Sequence, residues 1–309
     1  MKIYQGIEAF EGVENPVVTV GTFDGVHRGH QKIIERMKTI ARKTNGQTVL
    51  VTFYPHPRLV IHPDSSSLKF INTQKKKLAL LEKTGVEHLI IIPFTREFSK
   101  TTSTGFIRQY VVDKIHAKYL IIGYDHHFGR NRLGDFSILY DLGKELGFEV
   151  ERVPAQNVNN INVSSTKIRK ALEEGKVAKA NQLLGYEYSI TGTVVKGERI
   201  GRKIGFPTSN IELEDKYKLI TARGVYACRV EYNGKMYKGM GNIGVRPTVN
   251  HGEQAIEVHI FGFNKEIYGE EISIYFVERI RDEIKFDNLE LLRQQLLKDR
   301  EKVNKILED

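Results

Sequence analysis

Two histidines three residues apart, His27 and His30, stand in the string GTFDGVHRGH, Gly21 to His30. Imidazoles at that spacing share one face of a helical turn. Their N–H groups can donate to phosphate oxygens as negative charge builds in a transition state. The string leaves an apolar, β-branched run, Val17–Gly21, and opens a helical pattern from about His30 to Lys43. In a parallel sheet such a junction lies at the carboxyl edge, where helix amide groups favour an anion. Gly21, Gly25 and Gly29 allow a ligand close to the backbone. A second string, INVSSTKIRKALEEG, offers Ser164 or Ser165 as a helix cap, with Lys167 and Arg169 in the first turn. Basic residues there oppose the helix dipole and make better sense beside a bound anion. GYDHHFGR, Gly123 to Arg130, leaves a later strand with Asp125, His126, His127 and Arg130 on its loop. Adjacent histidines without a third ligand are weak grounds for a metal site.

The second half carries different chemistry. GERIGRKIGFPTSN, Gly197 to Asn210, combines three glycines in a mobile loop with Arg202 and Lys203. Its Thr208 and Asn210 supply the neutral oxygens that magnesium accepts alongside ATP phosphates. AIEVHIFGFNKEIYGEEI sets Glu257 on an alternating strand, sharing an outward face with Ala255, while Ile256 and Val258 take the other. A carboxylate near a metal and an alcohol can serve as a general base. Alone, each of these segments reads as an ordinary barrel loop or an exposed strand. No G-x-x-x-x-G-K-[ST] phosphate loop occurs in the chain. Gly239, Gly241 and Gly244 spell G-x-G-x-x-G, but VRPT follows, so no helix can begin there and the dinucleotide reading fails.

The elements that must hold these residues fall into two textures. Apolar runs at Thr48–Phe53, Leu89–Ile92, Tyr119–Gly123 and Phe148–Val153 alternate with helical patterns around Lys75–Lys83, Thr104–Val112 and Asp135–Leu146. That alternation predicts a doubly wound parallel sheet. Lysines at Gln74–Lys77 are read as a solvated helix start. Helices from Ser165 and over Val177–Leu184 close this half, giving domains at 1–184 and 185–309. After Gly185, alternating runs at Tyr188–Lys196, Val225–Tyr232, Lys235–Gly241, Ala255–Phe261 and Glu271–Arg281 predict a small antiparallel barrel. Asn233-Gly234 marks a two-residue hairpin. Leu289, Leu292, Leu296, Leu297 and Val303 form one face of a C-terminal helix, expected to cover an open barrel end.

Length and composition agree with this division. At 309 residues, 40% hydrophobic and 28% charged, the chain has material for two packed cores. It has one cysteine, Cys228, so no disulfide framework or zinc cluster is expected, and a reducing cytoplasm is the natural setting. No secretory signal and no bilayer-spanning run are read in it. A net charge of +9 suits anionic ligands but also describes a plain solubilising surface.

Taken together, HxGH after the first strand and SSTxxR at a late helix start resemble the HxGH nucleotidyltransferases. The longer strings GTFDGVHRGH, TFYPHPR, GYDHHFGR and SSTKIR resemble the adenylyltransferase module of bacterial bifunctional riboflavin kinase/FAD synthetases. GRKIGFPTSN, GVYA, NIGVRPT and IEVHIFGFNKEIYG, with R-x-E-x-x-F at Arg281–Phe286, resemble that family's riboflavin kinase module. The usual PTAN is PTSN here, which leaves Thr208 and Asn210 intact. The resemblance implies that FMN phosphate attacks the α-phosphate of ATP, with His27 and His30 holding ATP phosphates. It further implies Gly21, Thr22, Phe23, Asp24, Gly29, Ser164, Ser165, Thr166 and Arg169 around the nucleotide. Asp125, His127 and Phe128 would line the flavin cleft. In the second module Gly201 and Lys203 would meet ATP, Thr208 and Asn210 would hold Mg2+, and Glu257 would deprotonate the ribityl hydroxyl of riboflavin.

Two rivals are to be separated from this expectation. One is an HxGH adenylyltransferase for another phosphate acceptor with a non-catalytic barrel; PTSN and Glu257 speak against it. The other is a basic nucleic-acid-binding protein, whose affinity would fall with salt. Exposed aromatics are not clustered with basic residues, so small-molecule substrates are expected, with neither nucleic acid nor membrane as partner.

Overall fold

A computed structural model describes residues 1–62, 68–124, 129, 134–158, 161–197, 200–245 and 254–308. Packing divides the chain into two units, Met1–Ser165 and Thr166–Asp309.

The first unit is built on a six-stranded, wholly parallel sheet. Its strands are Lys2–Gln5 (β1), Val17–Val20 (β2), Thr48–Tyr54 (β3), His88–Pro93 (β4), Tyr119–Gly123 (β5) and Glu149–Val153 (β6). Their spatial order is β1-β4-β3-β2-β5-β6. Period-two alternation sends Val18, Val20, Val49, Val51, Leu120 and Ile122 into one core, and Val17, Leu50, Leu89, Ile91 and Ile121 to the other face. Burial on both sides explains why these strands read as continuous apolar runs. Arg28–Thr44 (α1) covers the second face with Ile34, Met37, Ile40 and Ala41. Pro57–Ile61 (α2) is a short helix whose residues are not buried. Gln74–Lys83 (α3) joins α1 through Leu81.

Ser103–Phe106 (α4) runs directly into a wider π turn, Ile107–Val112, against the first face. Phe136–Leu146 (α5) packs there too, capped by Asp135 and ended by left-handed Gly147. Two short strands, Asn157–Val158 (β7) and Ile161–Asn162 (β8), pair before the unit ends.

The strand order reverses between β2 and β5: the chain travels outward from β2 to β4, then returns to the other side of β2. At such a switch point the loops at the carboxyl ends part and leave a crevice. The Gly21–His27 turn leaves β2 at that place.

The second unit begins at Thr166, one residue into the helix Ser165–Glu173 (α6), and continues with Val177–Leu184 (α7). Asn181 in α7 donates from Nδ2 to the Phe276 carbonyl and accepts from the Tyr188 amide, at 2.8 and 2.7 Å. A closed antiparallel barrel follows, made of Ser189–Val195 (β9), Ser209–Glu212 (β10), Gly224–Tyr232 (β11), Lys235–Val245 (β12), Gln254–Ile260 (β13) and Glu271–Arg281 (β14). A four-residue helix, Ile200–Lys203 (α8), lies between β9 and β10. The barrel order is β10-β13-β12-β11-β14-β9, with β9 pairing back to β10. Asn233 and Gly234 both have positive φ, 48° and 72°, as the hairpin signal requires. Gly239, Gly241 and Gly244 all lie inside β12.

Leu289–Ile306 (α9) does not plug the barrel. Its Leu292, Leu296, Leu297 and Val303 pack on the outside, against Val225, Ala227, Met240 and Ile280 of β11, β12 and β14. The barrel is already closed by hydrogen bonds and filled by side chains such as Tyr226, Cys228 and Phe276, so the helix covers a wall. Among the described residues no helix is long and apolar enough to cross a membrane.

Candidate functional site

The turn after β2 is tightly wound. Phe23, Gly25 and Val26 have φ of 51°, 90° and 37°. A β-branched residue in the left-handed region is strained by about 1–3 kcal/mol and is held there only by its surroundings. Asp24 supplies part of that hold. Its Oδ1 accepts from the amides of Ile71 and Asn72 at 3.0 and 3.3 Å, and its carbonyl accepts from Ser165 Oγ at 2.8 Å. The last contact joins the two signature strings, 141 residues apart. Ser164 immediately precedes α6, and Thr166 and Arg169 follow within it.

His27 is the N-cap of α1, its Nδ1 accepting from the His30 amide at 3.4 Å. That bond needs a lone pair on Nδ1, so the ring proton belongs on Nε2. The two imidazoles stack at 3.7 Å with 13° between their planes. Burial, then the neighbouring His27 and Lys77, hold the His30 pKa well below the ordinary histidine range. His30 is therefore neutral at pH 7, and its Nδ1 is buried without a hydrogen-bond partner among the described residues.

Lys77 is a correction to the sequence expectation. It is 7% exposed and points inward from α3, with Nζ 3.5 Å from the Thr22 carbonyl and 3.4 Å from Thr52 Oγ1. Burial pushes its pKa down to about 8, against the pull of Asp24. The signal was present: Leu81, four residues on, is the other buried position of α3, so helical spacing alone puts Lys77 on the inner face. Thr52, fully buried on β3, was also missed. Beside the ends of β3 and β4, Phe53, Phe94, Phe98, Phe106 and Tyr110 form a chain of ring contacts 5.3–6.3 Å apart. Asp125, His127 and Phe128 lie outside the described residues.

In the second unit the barrel register does the assembling. Asn210 on β10 and Asn242 on β12 both stand directly opposite Glu257 on β13. Residues opposite one another in antiparallel strands project to the same face. A row Asn210–Glu257–Asn242 thus crosses three strands on the outer surface. Asn210 is buried, Glu257 half-buried and Thr208 exposed. Ala255, expected outward with Glu257, is buried at 6%. A side-chain carbon at Gly197 would overlap the Asn210 amide, and one at Gly201 would overlap the Phe206 carbonyl. These two glycines therefore permit close approach. Gly201 and Lys203 sit on α8. The sequence makes PTSN a loop, yet its Ser209 and Asn210 open β10. Asn242 was not singled out because only the register reveals its neighbours.

The donors of this second cluster are an alcohol, an amide and a carboxylate, all hard oxygens that suit magnesium. Among the described residues no group of three His, Cys, Asp or Glu is placed to hold a metal ion. A cation there would lean on neutral side chains and on substrate phosphates.

Comparison with known proteins separates the same two parts. The family model for FAD synthetase matches residues 10–167, and that for riboflavin kinase matches 184–307. A Listeria monocytogenes protein named bifunctional riboflavin kinase/FMN adenylyltransferase is 39% identical over 92% of this chain and 90% of its own. The protein of that name from Escherichia coli K12 is 35% identical over 97% and 96%. A solved structure from Streptococcus pneumoniae, described as a macrolide-efflux protein, is 33% identical and superposes with a TM-score of 0.89 over 98% of this chain and 99% of that one.

Proposed function

Since the chain belongs to the family of bifunctional riboflavin kinase/FMN adenylyltransferases, and so makes FMN from riboflavin and FAD from FMN, we propose that the two clusters described above are its two reaction sites. One observation carries the assignment furthest: His27 and His30 stack at the amino end of α1, at the switch point of the parallel sheet.

In the adenylyltransferase an FMN phosphate oxygen attacks the α-phosphorus of ATP. The bond from that phosphorus to the bridging oxygen breaks, and pyrophosphate leaves. No covalent enzyme intermediate is needed, so positioning and charge stabilisation do the work. His27 donates from Nε2, while its Nδ1 keeps the helix cap. His30, neutral, donates one ring N–H to a phosphate oxygen. Gly21, Thr22, Phe23 and Gly29 bring backbone close to the nucleotide, and Asp24 acts by shaping the turn. Ser164, Ser165, Thr166 and Arg169 form the second phosphate-binding string. Asp125, His127 and Phe128 remain assigned to the flavin, and the Phe53–Phe98–Phe106 wall beside the ends of β3 and β4 suits a flat apolar ring. We put the functional division at 1–184 and 185–309, later in the chain than the packing division at Ser165.

In the kinase the ribityl hydroxyl attacks the γ-phosphorus of ATP in line, and ADP leaves. Glu257 takes the hydroxyl proton. Thr208 and Asn210 would hold Mg2+, with Gly201 and Lys203 beside the nucleotide. When bound, that ion neutralises charge on the phosphates. The partners are small molecules, with no nucleic acid and no membrane surface, and the setting is cytoplasmic, which suits the buried free thiol of Cys228.

Incubation with riboflavin, ATP and magnesium, followed by chromatography of the flavins, tests the assignment. His30→Ala should stop at FMN. Glu257→Gln should convert supplied FMN to FAD but leave riboflavin unchanged. Equal loss of both steps in either variant would contradict two separate sites.

A further inference from the structure

The strand that carries Glu257 also carries a histidine with a definite task. His259 lies two residues along β13, on the same outer face. Its Nδ1 is 2.7 Å from the carbonyl oxygen of Pro207. A carbonyl only accepts, so Nδ1 bears the proton and donates. The half-buried ring packs edge-on to Phe206 at 5.2 Å and tilted against Phe261 at 5.4 Å. Burial, with Arg300 nearby, lowers its pKa, which leaves the imidazole neutral at pH 7.

That hydrogen bond falls where the chain otherwise lacks anchorage. On one side Phe206 is buried at 3% and its amide donates to the Gly201 carbonyl at 2.8 Å. On the other, strand pairing begins at Ser209, opposite Val258. Pro207 and Thr208 span the gap. Proline has no N–H, so its carbonyl is the one backbone group of residue 207 that can be tied down, and His259 ties it. Thr208 itself is exposed and gains no hold from packing.

We propose that His259 is a positioning residue of the kinase reaction. Through Pro207 it fixes the peptide bearing Thr208 against β13, the strand that presents Glu257. One rigid strand then sets the base Glu257, which also stands opposite Asn210, together with the placement of the metal-binding hydroxyl. This rests on the reading of Thr208 and Asn210 as the magnesium–nucleotide loop.

The test compares three variants of the full chain. His259→Leu removes the donor, His259→Asn keeps an N–H near the position of Nδ1, and Thr208→Val removes the hydroxyl itself. For His259→Leu the KM for MgATP in FMN formation should rise about tenfold, the scale of one lost hydrogen bond. The KM for riboflavin and the conversion of supplied FMN to FAD should stay unchanged. Independently of activity, trypsin should cut after Lys203 severalfold faster in His259→Leu, and MgADP should protect less. His259→Asn should return both readouts close to the parent. The proposal is overturned if His259→Leu matches the parent while Thr208→Val is impaired, or if His259→Asn is as impaired as His259→Leu. It is also overturned if His259→Leu weakens riboflavin and MgATP alike with a lower melting temperature. Thr208→Val with parental MgATP kinetics would instead remove the loop assignment, and the proposal with it.

Discussion

Replacing Lys77 with methionine should stabilise the first unit at neutral pH while weakening FAD synthesis. The Lys77 pKa falls from 10.5 to about 8 on folding, mainly through burial. That difference corresponds to ~3 kcal/mol by which the folded state disfavours the ammonium. Below pH 8 both folded and unfolded chains hold the proton, so the whole cost is present. Between pH 8 and 10.5 the unfolded chain binds more protons, so stability rises with pH until the cost is gone. Methionine removes the charge at similar length. It also gives up the hydrogen bonds of 3.5 and 3.4 Å to Thr22 and Thr52, together worth about 1 kcal/mol. The net gain at pH 7 is ~2 kcal/mol, or roughly 4–8 °C in melting temperature for a domain of this size. Thermal melts at pH 7 and pH 10 read it directly, the gain shrinking at the higher pH. FAD formation from supplied FMN should fall about tenfold, as one lost charge interaction of ~1.4 kcal/mol implies. A variant that melts lower at pH 7, or whose gain persists unchanged at pH 10, refutes this reasoning.

Other consequences are open to simple measurements. In the parent, FAD synthesis should decline as pH rises through about 8, where Lys77 loses its proton; Lys77→Arg, which stays charged, should move that limb upward in a pH–rate profile. His27→Asn should keep the helix cap and lose FAD synthesis, whereas His27→Ala should lose activity and also about 1 kcal/mol of stability in denaturant titrations. Gly197→Ala should displace the Asn210 amide and slow FMN formation while FAD synthesis from supplied FMN continues. Cys228 is buried and its thiol pKa is raised by that burial, so a thiol reagent followed by absorbance should label it only as the chain unfolds.

Elements with a strong local pattern were legible in the sequence. Tyr119–Gly123 and Glu271–Arg281 match the expected strands end for end, because an apolar run or an alternation needs no distant information. β1 and β10 were missed for the opposite reason. Each has four residues, too few to show a period, and each is a strand only because a partner lies beside it. The same distinction runs through the sites. His27 and His30 announce themselves by spacing, whereas Asn242 and His259 acquire meaning only once β12 and β13 are in register. At Lys77 the lysine-rich composition points to solvent, while the helical period points inward and prevails.

An edge rib of the parallel sheet, β1, has a consequence for how the protein is made. Its Tyr4 meets His88 across 84 residues, hydroxyl to ring nitrogen at 2.9 Å. At ~5–20 residues per second, the ribosome delivers that mate some ~4–17 s after the strand itself. Through that interval the nascent segment has no ladder to join, so the earliest-made strand can dock only after β2, β3 and β4 have been delivered.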